Sequence, residues 1–256
     1  VLRLGVAHLL LVRERHLTQR LLDAAHDIAL RLGHHLLDQG HAVTLLARDA
    51  ERTTPLIDRG AALIQGDALN QETVQSAVEA ASNHPGGMTG VAHLVGSIQL
   101  RPPHAMKVED FESVLQTNLV SAFLTLKIAG KAMLKTKGGR MVFTSSVAGS
   151  YGLTNHEAIA AAKGGLEAMV RSAASTYAQR GIRVNAVAPG LTDTRLGESV
   201  LRSDALREAA VGMIPMKRIN EPDEIAQSMA WLLTNAPDNL TGQIIHLDGG
   251  MANLRG

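Results

Sequence analysis

The feature that most constrains this chain is an alternation repeated along nearly its whole length. Short, unbroken apolar runs of strand length take turns with longer stretches of helical period. Strands buried on both faces read as continuous apolar runs rather than as alternating ones. Strand and helix in regular succession are the pattern of an open, mostly parallel sheet with helices on both faces. The expected strands are His41–Ala47, Gly60–Gln65, Val91–Val95, Arg140–Thr144, Ile182–Val187 and Gln243–Leu247. The expected helices are Gln71–Ala81, Phe111–Met133, Glu157–Gln179, Ser199–Gly212 and Glu221–Thr234. No repeat, linker or composition break interrupts the succession, so residues 1–256 read as one α/β domain.

The first forty residues leave alternatives open. Gly5–Val12 has strand character. Leu17–Leu22 reads either as a strand or as the start of a helix running to Gln39, with Leu21, Ala25, Ile28, Leu32 and Leu36 at helical spacing and Gly40 as its stop. Four arginines against one acid in the first twenty residues (Arg3, Arg13, Arg15 and Arg20 with Glu14) faintly suggest a transit peptide. A solvated extension or an extra helix is the preferred reading, with residues 1–20 an extension or an altered first strand of the domain.

Composition narrows the partners. The formal net charge is +1, which offers no electrostatic reason to expect nucleic acid. The longest apolar run near the N-terminus is too short to span a bilayer. No cysteine is present, which excludes disulfides and thiolate chemistry and fits a reducing, cytoplasmic setting. The eleven histidines show no metal-ligand spacing, so no metal is expected.

Ligands of such sheets bind beyond the carboxyl ends of the strands. Asp67, Gly96, Ser146, Pro189 and Gly190 each follow an expected strand. With the segments LQTNLVSAF, GRMVFTSSVAG, AAAKGGLEAMVRSAA, GIRVNAVAPGLTDT and TGQIIHLDGG, they make the chain resemble the short-chain dehydrogenase/reductase family from about His41 to Gly250. The resemblance implies a Rossmann-like doubly wound sheet and hydride transfer between a nicotinamide and a carbonyl or alcohol. By matched position it assigns catalytic roles to Asn118, Ser146 and Lys163. The family's general acid/base is a tyrosine one helical turn before the lysine, and here that position is Ile159. An isoleucine cannot exchange a proton, and losing a general acid costs about 10²–10⁴ in rate.

The same resemblance assigns cofactor contacts to Arg48, Asp67, Ala68, Gly96, Lys163, Pro189, Gly190 and Thr194. Arg48, a base after the second strand, implies NADP in preference to NAD. The family's glycine-rich phosphate turn matches best at Leu22–Ala29, where Asp23, Asp27 and Ala29 replace three glycines. Taking Gly5–Val12 as the first strand offers Arg13-Glu14-Arg15-His16 instead, also without glycine. Neither alignment supplies a phosphate cradle, so NADP or NAD is the implied cofactor with its binding open to loss.

Each candidate has a plainer alternative. Ser146 closes a strand turn, Asn118 holds a helix scaffold, Asp67 caps a helix, Arg48 is a solvated charge, and His156 and Glu157 cap the Lys163 helix. His93, His156–Glu157 and Tyr151 are the candidates to replace the lost acid. The favoured reading is a non-catalytic subunit of an oligomeric oxidoreductase, a dimer or tetramer with itself or with related subunits. The alternative is an active NAD(P)-dependent carbonyl or alcohol oxidoreductase with an atypical proton donor.

Overall fold

The computed structural model describes residues 7–11, 24–136, 138–194 and 204–254. Seven strands form one parallel sheet in the order β3-β2-β1-β4-β5-β6-β7. The strands are β1 Ala7–Leu11, β2 Ala42–Ala47, β3 Ala62–Gln65, β4 Met88–His93, β5 Gly139–Thr144, β6 Ile182–Pro189 and β7 Ile244–Leu247. The order reverses between β1 and β4, which pair in parallel alongside the β1–β2 ladder. A crevice opens at such a reversal, beyond the strand carboxyl ends.

Helices cover both faces. The chain forms α1 Ala24–Asp38, α2 Thr54–Ile57, α3 Gln71–Ser82, α4 Val108–Leu115, α5 Ser121–Met133, α6 Glu157–Tyr177, α7 Asp204–Gly212 and α8 Pro222–Thr234. One face packs α3, α5 and α6 on Val91, Met141, Phe143 and Val184. The other packs α1 and α8 on Val43, Leu45, Ala92 and Val142. Leu32 and Leu36 of α1 are fully buried there, at the spacing that places both on one helix face. Burial of each such side chain stabilises the fold by about 1.5–3 kcal/mol.

Local signals account for the helix ends. Asn70 caps α3 by accepting from Thr73 N at 3.0 Å. Glu221 and Glu224 form a reciprocal capping box at α8, with Pro222 at its first turn.

Two expectations are corrected. The first strand is Ala7–Leu11, so the segment Ala24–Ala29, matched above to the phosphate turn, lies inside α1. Helical burial of Ile28, Ala29, Leu32 and Leu36 draws it there. Asp23 and Leu17–Leu22 lie outside the described residues. The expected helix Phe111–Met133 starts earlier, at Val108, and is interrupted by a π turn at Gln116–Val120. Of the expected Ser199–Gly212 helix, only Asp204–Gly212 is described.

Candidate active site

A cleft of about 250 Å³ opens at the carboxyl ends of β4, β5 and β6. Gly96, Asn118, Ser146, Lys163, Pro189, Gly190 and Thr194 line it, so the structure brings together seven of the residues singled out in the sequence. Arg48, Asp67 and Ala68 are not among its lining.

Lys163 projects from α6 and is 4% exposed. Its Nζ donates to Thr144 O at 2.7 Å. Burial lowers its pKa to about 8, because a low-dielectric surrounding penalises the ammonium. Gly96 keeps space beside Asn118. A Cβ there would lie 3.2 Å from Asn118 Oδ1 and 3.8 Å from Lys163 Nζ.

Asn118 sits in the π turn, where Ser121 N–H reaches back to Gln116 O. Its side chain is spent on the scaffold. Oδ1 accepts from Ser97 N at 3.2 Å, while the two Nδ2 hydrogens go to Ser97 O at 3.0 Å and Val114 O at 3.0 Å, with Ser97 Oγ 3.2 Å away. The plainer reading of Asn118, a residue that holds the loop, matches these bonds. π turns recur at functional sites because they displace a side chain from helical register.

Ser146 follows β5 in extended conformation, and its Oγ accepts from Ala148 N at 3.2 Å. That bond uses a lone pair and leaves the O–H to donate to a ligand oxygen. The neighbouring Ser145 is held elsewhere. Ser145 Oγ donates to buried Glu167 at 2.8 Å, and Ser150 Oγ to the same carboxylate at 2.9 Å. Glu167 therefore clamps both ends of the turn that carries Ser146.

Ile159 is 4% exposed and lines the cleft. It packs with Val114, Ala148, Ala158 and Ala162 as an apolar wall. Three of the candidate replacement acids are removed by geometry. His93 is fully buried and absent from the cleft lining. Ser121 Oγ donates to Thr117 O at 2.6 Å, so at 3.0 Å it accepts from His93 Nε2–H. Burial first, and the Lys163 charge second, lower the His93 pKa to about 3 and keep the ring neutral. Tyr151 is 42% exposed and outside the lining, and Glu157 is exposed on the first turn of α6.

His156 is the exception. It lines the cleft, and its side chain makes no cap to α6, contrary to the expected capping role. Its Nδ1 lies 2.8 Å from Thr154 O. A carbonyl only accepts, so Nδ1 carries the hydrogen and Nε2 is left for other contacts. Asn155, between them, has φ 63°. Asparagine tolerates this left-handed conformation better than most side chains.

The far end of the sheet holds Arg48 after β2 and Asp67 after β3, with Arg48 Nη1 4.0 Å from Asp67 Oδ2. Asp67 Oδ1 accepts from Leu69 N at 2.8 Å and shapes the turn, whereas Asn70 caps α3. Asp67 is thus a turn residue rather than the helix cap. Ala68 is buried in the core. Among the described residues no cluster of side chains is suited to a metal ion, and no helix is long and apolar enough to cross a membrane.

Comparison with known proteins agrees with this geometry. The family described as enoyl-(acyl carrier protein) reductase matches residues 24–252. Carbonyl reductase family member 4 of Danio rerio is 36% identical, covering 86% of this chain and 91% of its own. The 2-(S)-hydroxypropyl-CoM dehydrogenase 3 of Xanthobacter autotrophicus is 31% identical over 89% of this chain and 93% of its own. Levodione reductase, a solved structure, is similar with a TM-score of 0.83 at 25% identity, covering 96% of this chain and 97% of its own. With a family model matching residues 24–252 and relatives more than 30% identical over most of their length, the chain belongs to the short-chain dehydrogenase/reductase family.

Proposed function

We propose that this chain is a nicotinamide-dependent oxidoreductase of carbonyl or alcohol substrates that transfers its proton without the family's tyrosine. The observation that carries this reading is the convergence of Ser146, Lys163 and the Pro189–Thr194 loop on one cleft. A reduced nicotinamide dinucleotide, when bound, supplies the hydride. Lys163 would hold the ribose beside it, and Pro189, Gly190 and Thr194 the carboxamide. Gly96 lines this end of the cleft beside Asn118. Arg48 favours NADP. The pyrophosphate end fits less well, because Asp27 already places a carboxylate in the first turn of α1, where a phosphate would gain most.

Ser146 O–H polarises the substrate oxygen. Leu153, Ile159, Leu191, Met213 and Ile214 give the rest of the cleft an apolar wall. His156 and Lys163 are the only ionisable side chains of the described lining. The substrate class that fits is an uncharged or weakly polar ketone or secondary alcohol. A cytoplasmic location, suggested by the absence of cysteine, belongs to the same reading.

A second reading rests on Ile159 and Asp27. The proton-transfer position is apolar and the phosphate position is acidic, which fits a non-catalytic subunit that works beside an active relative. Phe123 on α5 and Trp231 on α8 are 52% and 41% exposed, and apolar groups left open in this way suit subunit contacts. The partners proposed are copies of this chain or related subunits.

Titration with NADPH and NADH separates the readings. Trp231, the only tryptophan, reports binding by energy transfer. Saturable binding with turnover by the chain alone supports the first reading. No binding alone, with turnover only beside a partner subunit, supports the second.

A further inference from the structure

We infer that His156 is the proton donor of this cleft, occupying the functional place that the family gives to tyrosine. The inference rests on the oxidoreductase reading above and names the residue that reading requires.

Three observations converge on this side chain. His156 lines the same cleft as Ser146 and Lys163. It immediately precedes α6, three residues before Ile159 and seven before Lys163. Seven residues span about 10 Å of helix rise, and His156 stands before α6 with φ −104° and ψ 12°, so it is the shared cleft rather than helix register that brings the imidazole to the site. Finally, the Nδ1–H donated to Thr154 O fixes the neutral tautomer and orients the ring. A histidine whose second nitrogen is held by a carbonyl in this way is prepared for acid/base work at the first.

The rival groups serve poorly. His93 is buried and neutral, Tyr151 lies outside the cleft, and Ser146 carries an alcohol too weakly acidic to protonate an alkoxide by itself. Lys163 Nζ gives one of its three hydrogens to Thr144 O, and in the oxidoreductase reading the others hold the cofactor ribose.

The step balances. As the carbonyl carbon gains a hydride, the π pair of the C=O bond moves onto oxygen. That oxygen takes the proton from Nε2 of the imidazolium, and the ring returns to the neutral Nδ1–H form already held by Thr154 O. The product is the alcohol, and solvent reprotonates Nε2 of the half-buried ring. Oxidation of an alcohol runs the same path backwards.

The test compares wild type with His156→Gln, which can still donate an N–H to Thr154 O but cannot ionise. The probe substrate is 2,2,2-trifluoroacetophenone, an activated ketone with an apolar ring, and the reductant is NADPH. The expected result is NADPH binding unchanged, turnover reduced about a hundredfold or more, and partial rescue by added imidazole. In ring-¹⁵N-labelled wild type, the His156 Nε2 resonance is expected to move when the ketone binds, whether or not NADPH is present. A wild type that turns over while His156→Gln matches its rate, or while Nε2 stays unmoved by ketone, overturns the role of His156 alone. A wild type that neither binds nor consumes NADPH overturns the oxidoreductase reading, and the inference with it.

Discussion

Lys163 Nζ donates to the Thr144 carbonyl at 2.7 Å across a buried floor between α6 and β5. The bond partly offsets the cost of burying an ammonium, and the remainder shows as a pKa near 8. The unfolded lysine titrates near 10.5. Between those values the unfolded chain binds more protons than the folded one, so stability rises with pH across that window. Below about pH 8 the folded state carries the full cost.

Lys163→Met is therefore expected to be more stable than wild type at neutral pH by about 1–3 kcal/mol, after subtracting the lost hydrogen bond. The advantage is expected to shrink as pH rises from 8 to 10.5. Urea unfolding across that range measures it. A gain that does not vary with pH would show that the charge is not the source. The same variant is expected to lose NADPH binding.

Asn118→Ala removes the bond to Oδ1 and those of both Nδ2 hydrogens, and strands the Ser97 backbone and Val114 O. A buried group left without its partner costs about 1–3 kcal/mol. The expected effect is a destabilisation of about 2–4 kcal/mol in urea melts, together with faster hydrogen exchange at Ser97 N–H. Loss of activity with full stability and unchanged exchange would assign Asn118 to chemistry rather than to the scaffold.

Gly190→Ala tests the rim of the cleft. A Cβ at Gly190 would stand 2.8 Å from Asp248 Cα and 3.0 Å from Asp248 Cβ. The first atom is backbone and cannot rotate away, so β6 and the turn after β7 must separate. Gly190 N–H also donates to Leu247 O at 2.8 Å, and that bond would lengthen. Overpacking of this kind costs about 1–3 kcal/mol. NADPH affinity is expected to fall with it, measured by Trp231 fluorescence.

Ile159→Tyr places a phenol where the wall is apolar, four residues before Lys163. The buried ammonium would favour tyrosinate and lower the phenol pKa. In the His156→Gln background this change is expected to restore ketone reduction by at least tenfold, within the 10²–10⁴ range of a general acid. Steady-state rates with trifluoroacetophenone provide the measurement. No gain in a variant that still binds NADPH would mean that the wall, rather than the missing hydroxyl, limits turnover.

Much of this architecture was legible in the residues. β2, β5 and β6 are apolar runs bounded by glycine or by a turn, and the parallel sheet follows from their alternation with helical periods. Ser146 and Gly190 stand out because each follows a strand, and Lys163 because its segment resembles the family motif. Other features left no such trace. Leu17, Leu21 and Leu22 satisfy strand and helix periods equally, so the first strand stayed ambiguous. The π turn at Gln116–Val120 arises from one displaced backbone bond, which apolar spacing does not encode. His156 looked like a helix cap because it precedes α6. Its bond to Thr154 O depends on the loop path through Asn155, where a positive φ turns the chain. His93 misled in the opposite direction: a titratable residue at a strand end reads as functional until its burial is known.

Transfer of deuterium from [4,4-²H₂]NADPH to trifluoroacetophenone by the purified chain tests the central claim most directly. The oxidoreductase reading predicts that mass spectrometry of the product alcohol finds deuterium on the carbinol carbon, at a rate that falls with His156→Gln and disappears with Lys163→Met. An unlabelled ketone recovered intact, at protein and NADPH concentrations where Trp231 reports no binding, would contradict that reading.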